Sequence, residues 1–308
     1  MADFTIHTLG CGSARPTTRH NPSATVVEFR NNLFMVDCGE GAQKALLQQH
    51  LKISRLGHIF LTHMHGDHVL GLPGLISTLG LQDTGGELTI HTFADGASIL
   101  KDIFNYFGRN LPYDIRFNIL DPKREEVAFE NKALTVRTLP LCHRVPAVGF
   151  VFEEKPRQRH LNREMCDFHG VPTSQFNNVK GGMDFVRPDG TVVPNERLTS
   201  PATPSLSYAH ISDTIHLPEL ADRIGPVDLL FHETTYLDSE LDMARRNYHT
   251  TARQAGEMAR RCGARWLLTG HYSSRYDNEE EFRRQAMEEF PNVILNREGL
   301  RTDLTRLP

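Results

Sequence analysis

Short runs of alternating apolar and polar residues dominate the first part of the chain. FTIHTL (4–9), ATVVEF (24–29), LFMVD (33–37) and HIFLTH (58–63) are rich in β-branched and aromatic residues, and each predicts a strand. Asn31-Asn32, between the second and third runs, predicts a hairpin turn. The period then changes: AQKALLQQHL (42–51) carries its apolar residues at helical spacing. Further strands are predicted at LTIHTF (88–93), ALTVRTLPL (133–141), VGFVFEE (148–154), SLSYAHIS (205–212), DLLFHET (228–234) and RWLLTGHY (265–272). Two late stretches predict helices. TTARQAGEMARRCG (250–263) runs from a threonine to Gly263, and DNEEEFRRQAMEEF (277–290) opens with a capping-box-like Asp277 and Glu280.

The pattern breaks at about 153–204. This stretch has little apolar periodicity, is rich in Gly, Pro and Asn, and is basic at its start. Lys155, Arg157, Arg159, His160 and Arg163 form the basic cluster. Such a run usually marks a solvated face, but a long irregular segment within a compact domain is often functional.

Composition narrows the class. The 308 residues are 39% apolar and 23% charged with a net charge of −4, as in an ordinary soluble enzyme. One large α/β domain or two average ones fit this length. The mildly acidic balance means that a nucleic-acid partner has to be held by local basic patches. Five cysteines without a C-x-x-C pair argue against a disulfide framework and suit a reducing cytosol. The residues after Met1, ADFTIHTLGCGS, carry no secretory signal pattern, and no run of about 18 apolar residues predicts a membrane span.

The densest chemistry lies in LTHMHGDHVLG (61–71), where His63, His65, Asp67 and His68 fall within six positions. With 16 histidines in the whole chain, such crowding is rarely a matter of chance. Imidazole and carboxylate together suit zinc and similar metals. A loop leaving a strand can aim His63 and His65 at one cation, and Asp67 and His68 at a second. Paired metals of this kind lie about 3.5–4 Å apart and clamp both oxygens of a displacement. More ligands are then needed, and His143, Asp213 and His271 each follow an apolar strand-like run. Strand ends on one sheet edge are where α/β proteins build sites.

HMHGDH resembles the signature of the metallo-β-lactamase superfamily. GCGSARPTTRHN (10–21), VDCGEG (36–41), GLPGLIST (71–78), SDT (212–214), HETT (232–235), YHTTARQA (248–255) and GHYSSRY (270–276) narrow the resemblance to the ribonuclease Z family. It spans nearly the whole chain. It implies an α/β fold, an αββα sandwich in one domain over 1–308, with an inserted tRNA-binding arm at about 153–204. It further implies a hydrolase, an endoribonuclease that removes 3′ trailers from tRNA precursors, cytoplasmic and homodimeric, with two Zn²⁺ per chain. His63, His65 and His143 correspond to ligands of the first zinc, and Asp67, His68 and His271 to ligands of the second. Asp213 corresponds to the bridge.

By the same resemblance, Asp67 is the proton acceptor for the attacking water, although its role can be mainly orientation. His249 corresponds to the acid that protonates the leaving 3′-oxygen, and Glu233 to the carboxylate that orients it. A neighbouring carboxylate favours imidazolium, which gives the pairing a physical reason. His249 also stands just before a predicted helix, where a cation opposes the macrodipole and a purely structural role is less favourable. Arg19 and Arg275 correspond to the site rim. Lys155, Arg157, Arg159 and Arg163 begin the arm, where phosphate contacts give affinity without sequence information. The arm tip, GVPTSQFNNVKGGMDF (170–185), lacks a second Gly-Pro, and HETT replaces the commoner HEAT.

A hydrolase of small phosphodiesters or sulfate esters is the alternative, and the basic arm argues against it. An RNA-binding module with a degenerate site is disfavoured because every expected ligand is present. His7, His20, His50, His58, His91, His160, His169, His210 and His216 have no evident ligand partner, and His232 reads as a packing residue.

Overall fold

Two seven-stranded sheets face each other through aromatic side chains. The computed structural model describes residues 4–81, 86–107 and 111–307. The first three residues therefore lie outside it. Contacts divide the chain into two units, the larger comprising 1–130, 135–152 and 206–308.

In the larger unit the first sheet has the order Arg301–Asp303, Phe4–Gly10, Ala24–Phe29, Asn32–Cys38, Leu56–Phe60, Glu87–Thr92, Asp114–Ile119. Its strands are antiparallel up to Asn32–Cys38 and parallel beyond. In the second sheet, Val293–Ile294, Trp266–Gly270, Leu229–Glu233 and Ser207–Ile211 are parallel neighbours. Such strands are buried on both faces and read as continuous apolar runs. Phe34 and Phe60 of the first sheet meet Phe150 and Phe152 of the second. Helices cover the outer faces: Leu72–Leu81 and Ala94–Phe107 pack on the first sheet, Ala252–Cys262 and Leu220–Ile224 on the second. The result is an αββα sandwich.

Helix Ala252–Cys262 forms as its pattern predicts. Thr251 and Gln254 complete a reciprocal capping box, and Gly263 takes the left-handed conformation that ends it. Other boundaries move. The hairpin turn centres on Arg30 and Asn31, both at positive φ, because Phe29 pairs with Asn32. The helix predicted over 42–51 stops at Gln48, where His50 turns to positive φ. The helix predicted over 277–290 runs only from Glu280 to Met287 and has no capping box. Asn278 caps Glu280 N–H instead, while the Glu279 carboxylate pairs with Arg19 and His20.

The smaller unit comprises Asn131–Leu134 and Glu153–Ser205. The stretch with no evident period builds a core of its own, from Cys166, Val171, Val179, Phe185, Val193 and Leu198. Two small pairings, His160–Leu161 with Thr199–Ser200 and Phe185–Val186 with Val192–Val193, hold it. Its elements are only two to six residues long, too short to show a period.

Between the sheets, His58 and His91 are linked in a row that leaves no room for an extra proton. Asn118 Nδ2 donates to His91 Nδ1 at 3.0 Å, so His91 carries its proton on Nε2 and donates it to His58 Nδ1 at 3.1 Å. Burial lowers the two pKa values to about 4 and about 3 for His58 and His91 respectively. Both lie below the unfolded value, so this stability is complete above neutral pH and is lost as pH falls from about 6.5. We expect the pair to withdraw about 2–3 kcal/mol between pH 7.5 and 5, counting His58 at reduced weight for its partial exposure. Ring NMR shifts check the cause: both rings stay neutral at pH 5, and a ring that titrates near 6.5 refutes it.

Candidate metal centre

The candidate residues come together because parallel strands deliver them to neighbouring edges. His63 and His65 follow strand Leu56–Phe60, and the short helix Gly66–Val69 carries Asp67 and His68. Asp213 follows Ser207–Ile211, Glu233 ends Leu229–Glu233, and His271 follows Trp266–Gly270. Glu233 is paired in register with Gly270, which sets Glu233 beside His271. His143 follows the more distant strand Leu134–Pro140.

Two clusters result. In the first, His65 Nδ1 stands 3.0 Å from His63 Nε2 and 3.2 Å from His143 Nε2. Asp213 Oδ2 lies 3.6 Å from His63 Nε2 and 3.8 Å from His143 Nε2. In the second, Asp67 Oδ2 lies 3.5 Å from both His68 Nε2 and His271 Nε2. Asp213 reaches this cluster too, at 3.7 Å from His68 and, through Oδ1, 3.2 Å from His271.

The arrangement fits cations. Zinc–nitrogen bonds of about 2.0–2.1 Å in a tetrahedron set ligand atoms about 3.3 Å apart, close to the first cluster's spacing. Nε2 of His68 and of His271 are buried without a hydrogen-bond partner, a costly condition unless a cation satisfies them. The opposite ring nitrogens are tied down. His68 Nδ1 donates to Asp37 at 2.7 Å, His143 Nδ1 to the Tyr248 carbonyl at 2.9 Å, and His271 Nδ1 meets Thr235 Oγ1 at 2.9 Å. Such outer partners fix the tautomer and point the other nitrogen inward. Burial lowers the pKa of His63, His65 and His143, leaving neutral imidazoles with free lone pairs. Asp67 is also held from the glycine-rich loop, by the Ala14 N–H at 2.7 Å. Gly39 lets that region close up: a Cβ there would stand 2.4 Å from the Asp67 carbonyl oxygen.

Beside the clusters, His249 Nδ1 lies 2.9 Å from Glu233 Oε1, and Glu233 is fully buried. Burial opposes a charge on His249, but the Glu233 carboxylate and its hydrogen bond overcome this and hold the pKa up at about 9. His249 stands just past the C-terminal end of helix Leu241–Asn247 as well as before Ala252–Cys262. A cation there is favoured by the first helix, so the macrodipole does not simply oppose it.

Comparison with known proteins gives the lineage. Residues 4–92 match the family described as Anti-Pycsar protein Apyc1. The chain is 48% identical to a ribonuclease Z of Bacteroides fragilis (strain YCH46) over 300 residues, 97% of this chain and 99% of the relative. It is 46% identical to a ribonuclease Z of Parabacteroides distasonis over 98% of this chain and 99% of the relative. The chain belongs to the ribonuclease Z family. The fold is similar to that of human tRNase Z, short form (ELAC1), with a TM-score of 0.71 at 22% identity over 97% of this chain and 99% of that one. It is also similar to the metallo-β-lactamase fold protein YhfI from Bacillus subtilis, with a TM-score of 0.68 at 15% identity over 97% of this chain and 98% of that one. The sandwich is thus a metallo-β-lactamase fold.

In this ribonuclease Z family chain the clusters open into a cleft of about 600 Å³. Arg275 lies on its wall, as do Arg144, Tyr236 and Asn247, which sequence reasoning missed. Arg144 follows His143 directly, a cue available in the sequence. Asp37 was also missed as a support for His68; it lies within VDCGEG, 31 positions before its partner. The other basic candidates are engaged locally. Arg19 bonds Glu279 Oε1 at 2.9 Å and the Asp277 carbonyl at 2.8 Å. In the smaller unit Arg157 grips buried Glu154 through two bonds of 2.8 Å, and Arg159 donates to Thr199 Oγ1 at 2.7 Å. Arg163 pairs with Asp167 at 3.1 Å and stacks on Phe176. Lys155 is half-buried. Among the histidines read as structural, His232 is buried and Nδ1 contacts the Glu233 carbonyl. His20 is bound between Glu298 and Glu279 at 3.0 and 2.9 Å.

Proposed function

We propose that the chain is a zinc-dependent endoribonuclease that removes 3′ trailers from tRNA precursors, leaving a 3′-hydroxyl on the tRNA and a 5′-phosphate on the trailer. One observation carries this reading. Asp213 faces both ligand clusters, and His249, held from behind by buried Glu233, opens into the same cleft. His63, His65 and His143 would hold one Zn²⁺, Asp67, His68 and His271 the other, with Asp213 between them. Bound zinc supplies acidified water and offsets negative charge on the phosphoryl oxygens.

The chain's own groups do the rest. Asp67, anchored through Oδ2 by Ala14 N–H, orients the attacking water. His249 keeps Nδ1–H on Glu233, which leaves Nε2–H to protonate the departing 3′-oxygen. Arg275, exposed on the cleft wall, meets phosphate with its fork of donors. The smaller unit, 153–205 with 131–134, serves as the RNA-binding arm. Its surface pair Arg163–Asp167 is weak enough for a phosphate to displace Asp167. Lys155 and Arg159 lie in the same stretch, while the grip of Arg157 on Glu154 supports the arm's own fold. Arg19, paired with Glu279, fixes the rim loop. Free thiols at all five cysteines suit a reducing cytoplasm, and the enzyme works there as a homodimer. No helix among the described residues is long and apolar enough to cross a membrane.

The test is to incubate the zinc-loaded protein with a tRNA carrying a 3′ trailer and to map the cut and its end groups, with Asp67→Ala as control. A single cut near the acceptor end, leaving a 3′-hydroxyl and absent in the variant, supports the reading. No cut by protein that hydrolyses a small chromogenic phosphodiester overturns it in favour of a small-molecule hydrolase.

A further inference from the structure

Thr235, the last residue of HETT, is 3% exposed, and its hydroxyl meets three functional groups at once. Oγ1 makes a short hydrogen bond to Glu233 Oε2, stands 2.9 Å from His271 Nδ1 and 3.3 Å from His249 Nδ1. A hydroxyl has one hydrogen to give and two lone pairs to accept with. An ionised carboxylate only accepts, so the hydroxyl hydrogen goes to Glu233. His271 must then donate Nδ1–H to Thr235. His249 has a nearer and charged acceptor in Glu233 Oε1 at 2.9 Å and uses that one.

The consequence is a fixed tautomer. With its proton on Nδ1, His271 presents the Nε2 lone pair to the space between Asp67 and Asp213, where that atom has no hydrogen-bond partner. The backbone supports the same aim. His271 has a positive φ of 60°, and the preceding Gly270 is bonded in both directions to Thr234, the residue by which HETT departs from HEAT. Glu233 is anchored by Thr214 N–H at 3.0 Å and Thr235 N–H at 3.2 Å, so the hydroxyl sits on a rigid support.

We propose that Thr235 is a positioning residue that joins the cation-binding and proton-donating halves of the site through one buried carboxylate. A single chain of hydrogen bonds runs from His271 Nδ1–H to the Thr235 hydroxyl, then to Glu233, which receives His249 Nδ1–H on its other oxygen. Thr235 thereby selects the metal-binding tautomer of His271 and holds Glu233 in line with His249. This rests on the zinc-enzyme reading above, but its first test needs neither zinc nor RNA.

In the cation-free wild-type protein, ¹⁵N-labelled histidine NMR should show His271 protonated at Nδ1. A His271 ring that carries no proton on Nδ1 overturns the proposal whatever the substrate proves to be. The second test compares Thr235→Val, which keeps the shape without the hydroxyl, with Thr235→Ser, which keeps the hydroxyl. In the valine variant we expect zinc affinity at one site, measured by chelator competition, to fall about 10–100-fold. In the same variant kcat for RNA cleavage falls at least tenfold with KM unchanged. The serine variant restores both to within about threefold. A folded valine variant with unaltered zinc affinity, or a serine variant as poor as valine, overturns the proposal, since packing and not the hydroxyl would then be at work. If the valine variant does not fold, the NMR result and the serine variant decide.

Discussion

Asp213→Ala is expected to lose at least about 10³-fold in kcat and to retain fewer than two zinc ions per chain. Among the described residues no other carboxylate faces as many ligands: its oxygens lie within 3.8 Å of His63, His68, His143 and His271. It is 2% exposed, and burial alone would raise its pKa, but the surrounding imidazoles hold it well below the usual carboxylate range. Removing it leaves the nitrogens of His63, His65 and His143 with no carboxylate in their cluster to balance a bound cation, and leaves Asp67 to serve the second cluster alone. Elemental analysis of the purified variant, with single-turnover cleavage of a trailer-bearing tRNA, measures both effects. Two retained ions with kcat within tenfold of wild type would mean that Asp213 is a packing residue.

The second large effect separates proton donation from metal binding. His249→Ala should reduce kcat by about 10²–10⁴-fold while zinc content and KM stay near wild type. His249 is the candidate acid because its partner Glu233 is buried and ionised, which keeps a proton on the imidazole at neutral pH. Glu233→Gln should fall between the two, since an amide still accepts from Nδ1–H but carries no charge. A substrate with sulfur in place of the leaving 3′-oxygen gives the sharper check, because a thiolate departs without a proton. That substrate should restore most of the lost rate in His249→Ala. A variant equally slow on both substrates excludes His249 as the acid.

Some of this site was legible before any folding was considered. His63, His65, Asp67 and His68 crowd one loop, and a strand leading into a short helix fixes their spacing locally. Asp213 and His271 lie just beyond the ends of apolar parallel strands, a position the pattern marked, whereas Glu233, at the end of another, was picked out by the family resemblance. Helix Ala252–Cys262 was equally legible, because a threonine at its start and Gly263 at its end each act within a turn of the boundary they mark. The bonds that aim these groups were not. Asp37 holds His68 across 31 positions, Tyr248 holds His143 across 105, and Thr235 meets His271 across 36.

What the sequence by itself determined is therefore local: most of the strands, the start and end of helix Ala252–Cys262 and the crowd of metal-grade side chains. Tertiary structure alone decided which ring nitrogen of each histidine points inward and that one carboxylate faces two clusters. It also decided that Arg19 and Arg157 spend their charge on Glu279 and Glu154, and that a stretch without period builds its own core. The physical reason is range. Periodicity and capping act over a turn or two of backbone, whereas a hydrogen bond between distant segments exists only once strand pairing and core packing have set their register.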